Sequence, residues 1–360
     1  VINQPFAPAP LDIDLVLDPR WLEQALSIGR SAVSIRSVTL VEQIGFTAVN
    51  LRIEVDYAAP PPAGLPSKLC IKGVFDERYT EVYLKSGIQK TEGLFYRDLA
   101  PTLDVHVPAC FYAGIDEQTS AAVIVMEDLK ARDARFLSVL DPYSFDQLHQ
   151  SLDQIARLHG GTDGGGVGEE AAARFPWIVR RLDLLAEGAS GVSPSKLGDL
   201  LHDARGDRLP EAIRSGERLY EGLRALVRRS KDVPTCVLHG DIHAGNLFDS
   251  PQGIGVLDWQ VLQLGHWSID VAYHISSVLE VEDRRAHEQE FLRYYLARLA
   301  EHGGHVPSWE EAWRLYRQSV VYGYFMWGVT QRVTPAIIAQ FVTRLGTALA
   351  DHDSYGLLGV

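Results

Sequence analysis

Apolar and polar residues alternate early in the chain. Asn50-Leu51-Arg52-Ile53-Glu54-Val55-Asp56-Tyr57 puts an apolar side chain at every second position, the period of a strand with one buried face. With Val49 it predicts a strand over 49–57, and the Val-, Leu- and Thr-rich Ser37–Val41 predicts its partner, joined through a turn near Gly45. Upstream, Asp18 as cap and Pro19 in the first turn predict a short helix over 18–28. Beyond three consecutive prolines, Pro60–Pro62, the apolar segment Lys68–Phe75 predicts a third strand, and a mixed helical stretch runs on to Ala100. Val107–Ala113 and Ala121–Met126 predict two more strands, separated by the turn signal Gly114-Ile115-Asp116-Glu117. Residues 1–126 therefore read as a small antiparallel sheet with one inserted helix.

The period changes from Tyr143. Phe145, Leu148, Leu152, Ile155 and Leu158 recur at three- and four-residue spacings, which predicts a helix over 143–158, ended by the glycine run 160–168. Further helices are expected over 195–203, 211–230, 284–302, 309–329 and 335–350. At 360 residues the chain is long for one compact core and about right for two lobes. The expected fold class is α+β: a small antiparallel-sheet N-terminal lobe (1–126), a connector (127–130) and a larger, mainly helical lobe (131–360).

Composition adds little: 46% hydrophobic and 22% charged residues fit a folded globular chain and argue against disorder or a fibrous repeat. Charge adds more. A formal net charge of -13 disfavours attraction to DNA or RNA, whose phosphates reward clustered Lys and Arg, so no nucleic-acid partner is expected. Cys70, Cys110 and Cys236 are widely spaced, odd in number and set in apolar stretches without a CxxC pair, and read as buried free thiols. Val1–Pro10 shows no basic region followed by an apolar core, and the longest strongly apolar run, Val320–Val329, is about half a bilayer span. The expectation is a cytoplasmic protein without a membrane partner, its oligomeric state left open.

The sharpest local signal is Val237-Leu238-His239-Gly240-Asp241-Ile242-His243-Ala244-Gly245-Asn246-Leu247-Phe248, followed by Gly255-Val256-Leu257-Asp258-Trp259-Gln260. An Asp, an Asn five residues later and a second Asp at the end of a short strand can converge from adjacent turns. Phosphoryl transfer needs such a set: one carboxylate to orient a nucleophilic hydroxyl, and oxygen ligands to hold Mg²⁺ against phosphates. The plainer alternative is a hydrogen-bonded turn between two strands, since Asp, Asn and Gly are common turn residues.

His239-Gly240-Asp241-x-x-x-x-Asn246 with the following Asp258 resembles the catalytic loop of the aminoglycoside phosphotransferase and choline kinase family, including its ecdysteroid-kinase-like branch. The resemblance implies a protein-kinase-like fold, ATP and Mg²⁺ as cofactors, and a small hydroxyl-bearing acceptor. It makes Asp241 the catalytic base or hydroxyl-orienting group, Asn246 and Asp258 the metal ligands, and His239 a brace for the loop. It assigns Lys72, at the end of the strand Leu69-Cys70-Ile71-Lys72, to the nucleotide phosphates, and Glu92, in Thr91–Arg97, to holding that lysine, with Glu81 as a rival partner. A solvated strand end and a surface helix residue are the plain alternatives. Val123–Leu129 is similar to the family's lobe-connecting segment, where Glu127 and Leu129 supply a backbone carbonyl and an N–H to an adenine edge; an ordinary strand exit also explains it. Gln43–Asn50 falls where the family's phosphate-covering hairpin lies, although only Gly45 supplies the expected glycine and an ordinary hairpin turn accounts for it equally. Leu264–Ala272 is similar to the family's Gly-x-x-x-x-Asp segment, so Asp270 anchors the catalytic loop or caps a helix. His159, in Ile155–Gly160, reads as structural. The resemblance runs in order over roughly residues 35–280.

Rival readings remain. The 160–168 glycine run lacks Gly-Lys-Ser/Thr and follows a helix where a phosphate loop follows a strand. His239, His243 and Asp241 suggest a metal-dependent hydrolase, without any His-Glu-x-x-His helix to support it. A nucleotide-binding pseudokinase is a further alternative. Protein-kinase activity fits poorly, because the chain has His-Gly-Asp in place of His-Arg-Asp and Asp258-Trp259-Gln260 in place of Asp-Phe-Gly. For the acceptor, Trp313, Tyr316, Arg317, Val320, Tyr324 and Trp327 recur at helical spacing, as core or as pocket lining, and Trp259, Trp267 and Tyr273 lie nearer the catalytic loop. A sugar, a sterol-like alcohol and a quaternary amine all stay open.

Overall fold

The N-terminal alternation becomes a five-stranded sheet. β1 (Ile35–Ile44), β2 (Val49–Tyr57), β3 (Lys68–Gly73), β4 (Cys110–Ile115) and β5 (Ala122–Glu127) lie in the order β1-β2-β3-β5-β4, every neighbouring pair antiparallel. The computed structural model describes residues 6–45, 48–75, 81, 85–163, 173 and 175–360. The chain divides into two compact units: one of Val1–Leu103, Val107–Arg135 and Leu257–Gln260, the other of Asp104–His106, Phe136–Val256 and Val261–Val360.

In the first unit, Val49, Leu51, Ile53 and Val55 of β2 are buried, Asn50 and Arg52 between them are half-buried, and Glu54 and Asp56 are exposed, as a period of two requires. The register sets Leu51 beside Ile71 and Ile71 beside Val125, a stripe of buried aliphatic side chains. That face packs with Trp21, Leu22, Ala25 and Leu26 of α1 (Pro19–Ser27) in one core. The Asp18 carboxylate caps α1, accepting the Arg20 N–H at 2.7 Å. α2 (Ile88–Leu94) packs across β4 and β5, and its axis continues through a π turn at Phe95–Leu99. β4 begins three residues later than the sequence suggests, beyond Pro108, which has no N–H to give a ladder.

The second unit is mainly helical. α3 (Phe145–Thr162) starts on a capping box: the Ser144 hydroxyl accepts the Gln147 N–H and the Gln147 side chain accepts the Ser144 N–H. Contrary to expectation, it does not stop at the glycines but runs through Gly160 and Gly161. A Cβ on Gly160 would lie 2.6 Å from the His302 carbonyl oxygen, so close packing explains that glycine. Residues 164–168 of the run lie outside the described residues.

The expected 211–230 helix is broken at Arg214. A 3₁₀ turn (Glu211–Ile213) gives way to α4 (Gly216–Arg229), capped by the Ser215 hydroxyl on the Arg218 N–H. α5 (Ser268–Val278) is buried on every side, against α3, α6 (Val281–Glu301), α7 (Trp309–Val329) and α8 (Pro335–Asp351). Two short pairings frame the signature sequence: β6 (Cys236–Leu238) antiparallel to β9 (Gln263–Gly265), and the hairpin of β7 (Leu247–Ser250) with β8 (Gly253–Val256).

One expectation needs correction. Only Cys236 is buried; Cys70 and Cys110 are half-buried, the latter on an edge strand, and all three thiols are free. Of the aromatic residues left open as core or pocket lining, Trp259, Trp267, Tyr273, Tyr316, Tyr324 and Trp327 are buried. Among the described residues no helix is long and apolar enough to cross a membrane.

Candidate functional site

In the second unit the His239–Asn246 loop leaves β6 through Gly240. This residue has φ of +82°, and a Cβ on it would lie 2.5 Å from the Val261 carbonyl oxygen, so both backbone conformation and space demand glycine. The loop is held from beneath. Asp270, completely buried in the first turn of α5, accepts the His239 N–H at 2.7 Å on Oδ2 and the Gly240 N–H at 3.0 Å on Oδ1. His159 Nε2 lies 3.2 Å from the same Oδ2, and its Nδ1 is 2.8 Å from the Tyr295 hydroxyl. From α7, the Tyr322 hydroxyl donates to the Gly240 carbonyl at 2.6 Å and accepts from Gln263 Nε2 at 2.8 Å.

Asp241 sits inside this frame. Its N–H donates to His239 Nδ1 at 3.1 Å, its carbonyl accepts Asn246 Nδ2 at 2.8 Å, and its Oδ1 accepts the Tyr273 hydroxyl at 2.9 Å. Oδ2 lies 3.4 Å from Asn246 Nδ2 and 3.7 Å from His243 Nε2. Burial pushes the Asp241 carboxyl up, but His243, His239 and the Tyr273 hydroxyl outweigh it and hold the group below the usual carboxylate range. The carboxylate is thus ionised and oriented at neutral pH. The Asn246 amide is spent on the loop through its nitrogen, while its Oδ1 accepts no hydrogen bond among the described residues. An oxygen so placed suits a hard cation.

The first unit brings Lys72, Glu92 and Asp258 together. Lys72, on β3, donates to Glu92 Oε1 of α2 at 2.7 Å and to Asp258 Oδ1 at 3.2 Å. Glu81, the rival partner, instead pairs with Lys85 on the surface. Burial opposes a charge on Lys72, but the Asp258 and Glu92 carboxylates win and hold its ammonium above the ordinary lysine range. Asp258 has φ of +59°, a left-handed backbone that few residues other than glycine adopt and that is concentrated at functional positions. Its neighbour Trp259 stacks on Phe95 at 3.8 Å and 10°.

Glu127 spends its carboxylate on the Ala109 N–H at 2.8 Å and on Arg132 at 3.2 Å. Leu129 opens a 3₁₀ turn and its carbonyl accepts the Ala134 N–H. Asp128 between them is the more constrained residue, nearly buried and paired with Arg52 through two nitrogens at 3.0 and 2.9 Å. Gly45 has φ of +96°; Phe46 and Thr47, in the same turn, lie outside the described residues.

Sequence reasoning missed Tyr322, and it offered Tyr273 and Trp327 only as core or pocket aromatics and His243 only within the hydrolase alternative. A signal existed for Tyr273: it stands three residues after Asp270, so both face the same side of α5. Among the described residues no group of three or more His, Cys, Asp and Glu side chains forms a metal site.

Residues 90–313 match the family model described as "Phosphotransferase enzyme family". No curated protein matches the sequence. Among solved structures, the GDP complex of aminoglycoside 2'-phosphotransferase-IIIa is 13% identical with a TM-score of 0.50, over 93% of this chain and 99% of that one. Plasmodium vivax ethanolamine kinase is 12% identical with a TM-score of 0.50, over 88% and 83%. Choline kinase from Cryptosporidium parvum Iowa II is 12% identical with a TM-score of 0.50, over 89% of each chain. Identities this low establish the fold alone, and the fold is α+β and protein-kinase-like.

Proposed function

The chain belongs to the phosphotransferase enzyme family, which makes it a small-molecule phosphotransferase, and on that premise we propose that it transfers the γ-phosphate of ATP to a hydroxyl group of a small molecule. The observation that carries the proposal is the Asp241 carboxylate, ionised and fixed in direction by bonds from Tyr273 and the loop. Such a group accepts the hydrogen bond of an incoming alcohol, aims its oxygen and takes up its proton as the new P–O bond forms. Lys72, kept charged by its two carboxylates, is the group for the nucleotide phosphates, and Glu92 holds it in place. The Asn246 amide oxygen and the Asp258 carboxylate are the oxygens offered to Mg²⁺. When bound, the metal supplies charge neutralisation at the phosphates. Glu127 and Leu129 offer backbone groups to the adenine, Gly45 lies in the turn proposed to cover the phosphates, and His239 and Asp270 support the catalytic loop. Positioning and charge stabilisation supply most of the rate in this reading. Its setting is the cytoplasm, where ATP is available.

The test is calorimetric titration with a non-hydrolysable ATP analogue, with and without Mg²⁺, on the wild type and on Asp258→Ala. Wild-type and Asp241→Ala proteins are then compared in ATP-dependent phosphorylation of a panel of alcohols: sugars, sterol-like alcohols and quaternary amino alcohols. Magnesium-dependent binding that weakens in Asp258→Ala, with turnover that disappears in Asp241→Ala while binding persists, is the expected outcome. No nucleotide binding by the folded wild type sinks the proposal; binding without turnover on any alcohol favours a pseudokinase.

A further inference from the structure

Beside Asp241 lies a chain of buried hydrogen bonds whose direction is fully determined. Trp327 Nε1 is 2.6 Å from the Tyr273 hydroxyl, and an indole nitrogen can only donate. The Tyr273 oxygen therefore accepts from Trp327, and its single proton goes to Asp241 Oδ1, 2.9 Å away. Both rings are buried. Trp327 is itself fixed, stacked on Phe341 at 3.9 Å and 22°, with the His243 ring edge-on at 5.1 Å. Burial, then the Asp241 charge, push the Tyr273 phenol well above its ordinary range, so it stays a donor at every working pH.

We propose that Tyr273 is a positioning residue for Asp241: held by Trp327, it occupies Oδ1 and leaves Oδ2 as the oxygen presented to the acceptor alcohol. The inference rests on reading Asp241 as the acceptor-orienting group. Oδ2 is the less engaged of the two oxygens, with Asn246 Nδ2 at a long 3.4 Å and His243 Nε2 at 3.7 Å. The His243 Nδ1 accepts the Gly245 N–H at 3.0 Å, so the neutral ring carries its proton on Nε2, facing Oδ2. That proton attracts the charge toward Oδ2 without occupying the oxygen. A carboxylate able to rotate would offer either oxygen and spend part of its time in unproductive orientations. The Tyr273–Trp327 clamp removes that freedom before substrate arrives, which is the kind of preorganisation that raises kcat more than it lowers KM.

A tyrosine that merely fills space would leave the Asp241 carboxylate in one orientation when its hydroxyl is removed, and this distinguishes the two roles. The experiment compares crystal structures of the wild type, of Tyr273→Phe, which keeps the ring, and of Trp327→Phe. The wild type should show a single orientation of the Asp241 carboxylate with Oδ1 on the Tyr273 hydroxyl. In Tyr273→Phe the carboxylate should rotate or divide between orientations, and in Trp327→Phe the contact from Tyr273 should lengthen, because the hydroxyl loses the donor that fixes its rotation. A single, unmoved Asp241 carboxylate in the Tyr273→Phe structure overturns the proposal. This readout needs no turnover, so it succeeds or fails independently of the phosphotransferase reading. Once an acceptor is in hand, Tyr273→Phe should lower kcat about tenfold with little change in acceptor KM. A fall confined to KM would also count against it.

Discussion

Asp270 offers the most demanding test of how the His239–Asn246 loop is built. Its carboxylate is completely buried and receives three contacts: the His239 N–H at 2.7 Å, the Gly240 N–H at 3.0 Å and His159 Nε2 at 3.2 Å. Asp270→Asn keeps shape and volume but replaces one accepting oxygen with an NH₂ group, which must point at a donor in either orientation. If the amide oxygen faces Gly240, its nitrogen faces both His239 N and His159; the reverse leaves Gly240 N unpaired. One or two buried donors are stranded in each case, and at about 1–3 kcal/mol for each unsatisfied group the variant should lose about 2–4 kcal/mol. A global unfolding free energy reports the chain as a whole and not one loop. Native-state hydrogen exchange of the His239 and Gly240 amides reports the loop itself. At about 2–4 kcal/mol their protection should fall between roughly thirtyfold and a thousandfold, while amides of β2 hold theirs. Unchanged protection at His239 and Gly240 in a folded Asp270→Asn protein would refute the claim that this carboxylate anchors the loop.

Three further outcomes follow from the same geometry. Lys72→Met leaves Glu92, 1% exposed, without its cation and should cost about 3–5 kcal/mol, while Lys72→Met with Glu92→Gln should recover most of it; strictly additive urea midpoints would contradict the pairing. Gly240→Ala forces a Cβ against the Val261 carbonyl at φ of +82° and should cost about 1–3 kcal/mol and abolish turnover; a variant with wild-type activity would show that the loop tolerates the shift. His266 and His274 are held down to about 3 and about 4, first by burial, so both stay neutral in the folded protein below the pH at which the unfolded chain protonates them. Below about pH 6.5 the unfolded state therefore binds more protons, and stability present above that pH should be lost as the pH falls toward 4, at about 1 kcal/mol per pH unit for each histidine. Urea unfolding at pH 7, 6 and 5 measures the slope. His266→Gln should flatten it, and an unchanged slope would count against the assignment.

Elements with a clean period were legible in the sequence. β2 and α7 occupy the segments their patterns mark, and Asp18 caps α1 as its position before Pro19 suggests. α5 escaped because its eleven residues are all buried: with no polar face there is no stripe to detect. The break before α4 was readable after all, in Ser215 three residues ahead of the Arg218 amide it caps, but the amphipathic pattern on both sides obscured it. At the candidate site, the motif letters named the residues of the loop and the strand lysine. They named Glu92 and Asp270 as residues that hold them, but not the aromatic residues that reach in from α7. Tyr322 reaches Gly240 across 82 positions and Trp327 reaches Tyr273 across 54, and no local pattern encodes contacts between helices that meet only after packing.

The tetrapeptide Leu257–Gln260 belongs to a unit whose other residues all precede Phe136. On the ribosome that unit cannot be completed when its sheet emerges: Lys72 must wait 186 positions for Asp258, and Phe95 must wait for Trp259 to cover it. About 125 residues separate Arg135 from Gln260, so at synthesis rates of about 5–20 residues per second the sheet spends roughly 6–25 s with its lysine half-neutralised and an aromatic face bare. A fragment ending at residue 135 is frozen in that interval. It should bind a peptide carrying Leu257–Gln260, because this tetrapeptide, the last piece of the unit to be synthesised, brings Lys72 its second carboxylate and Phe95 its stacking partner.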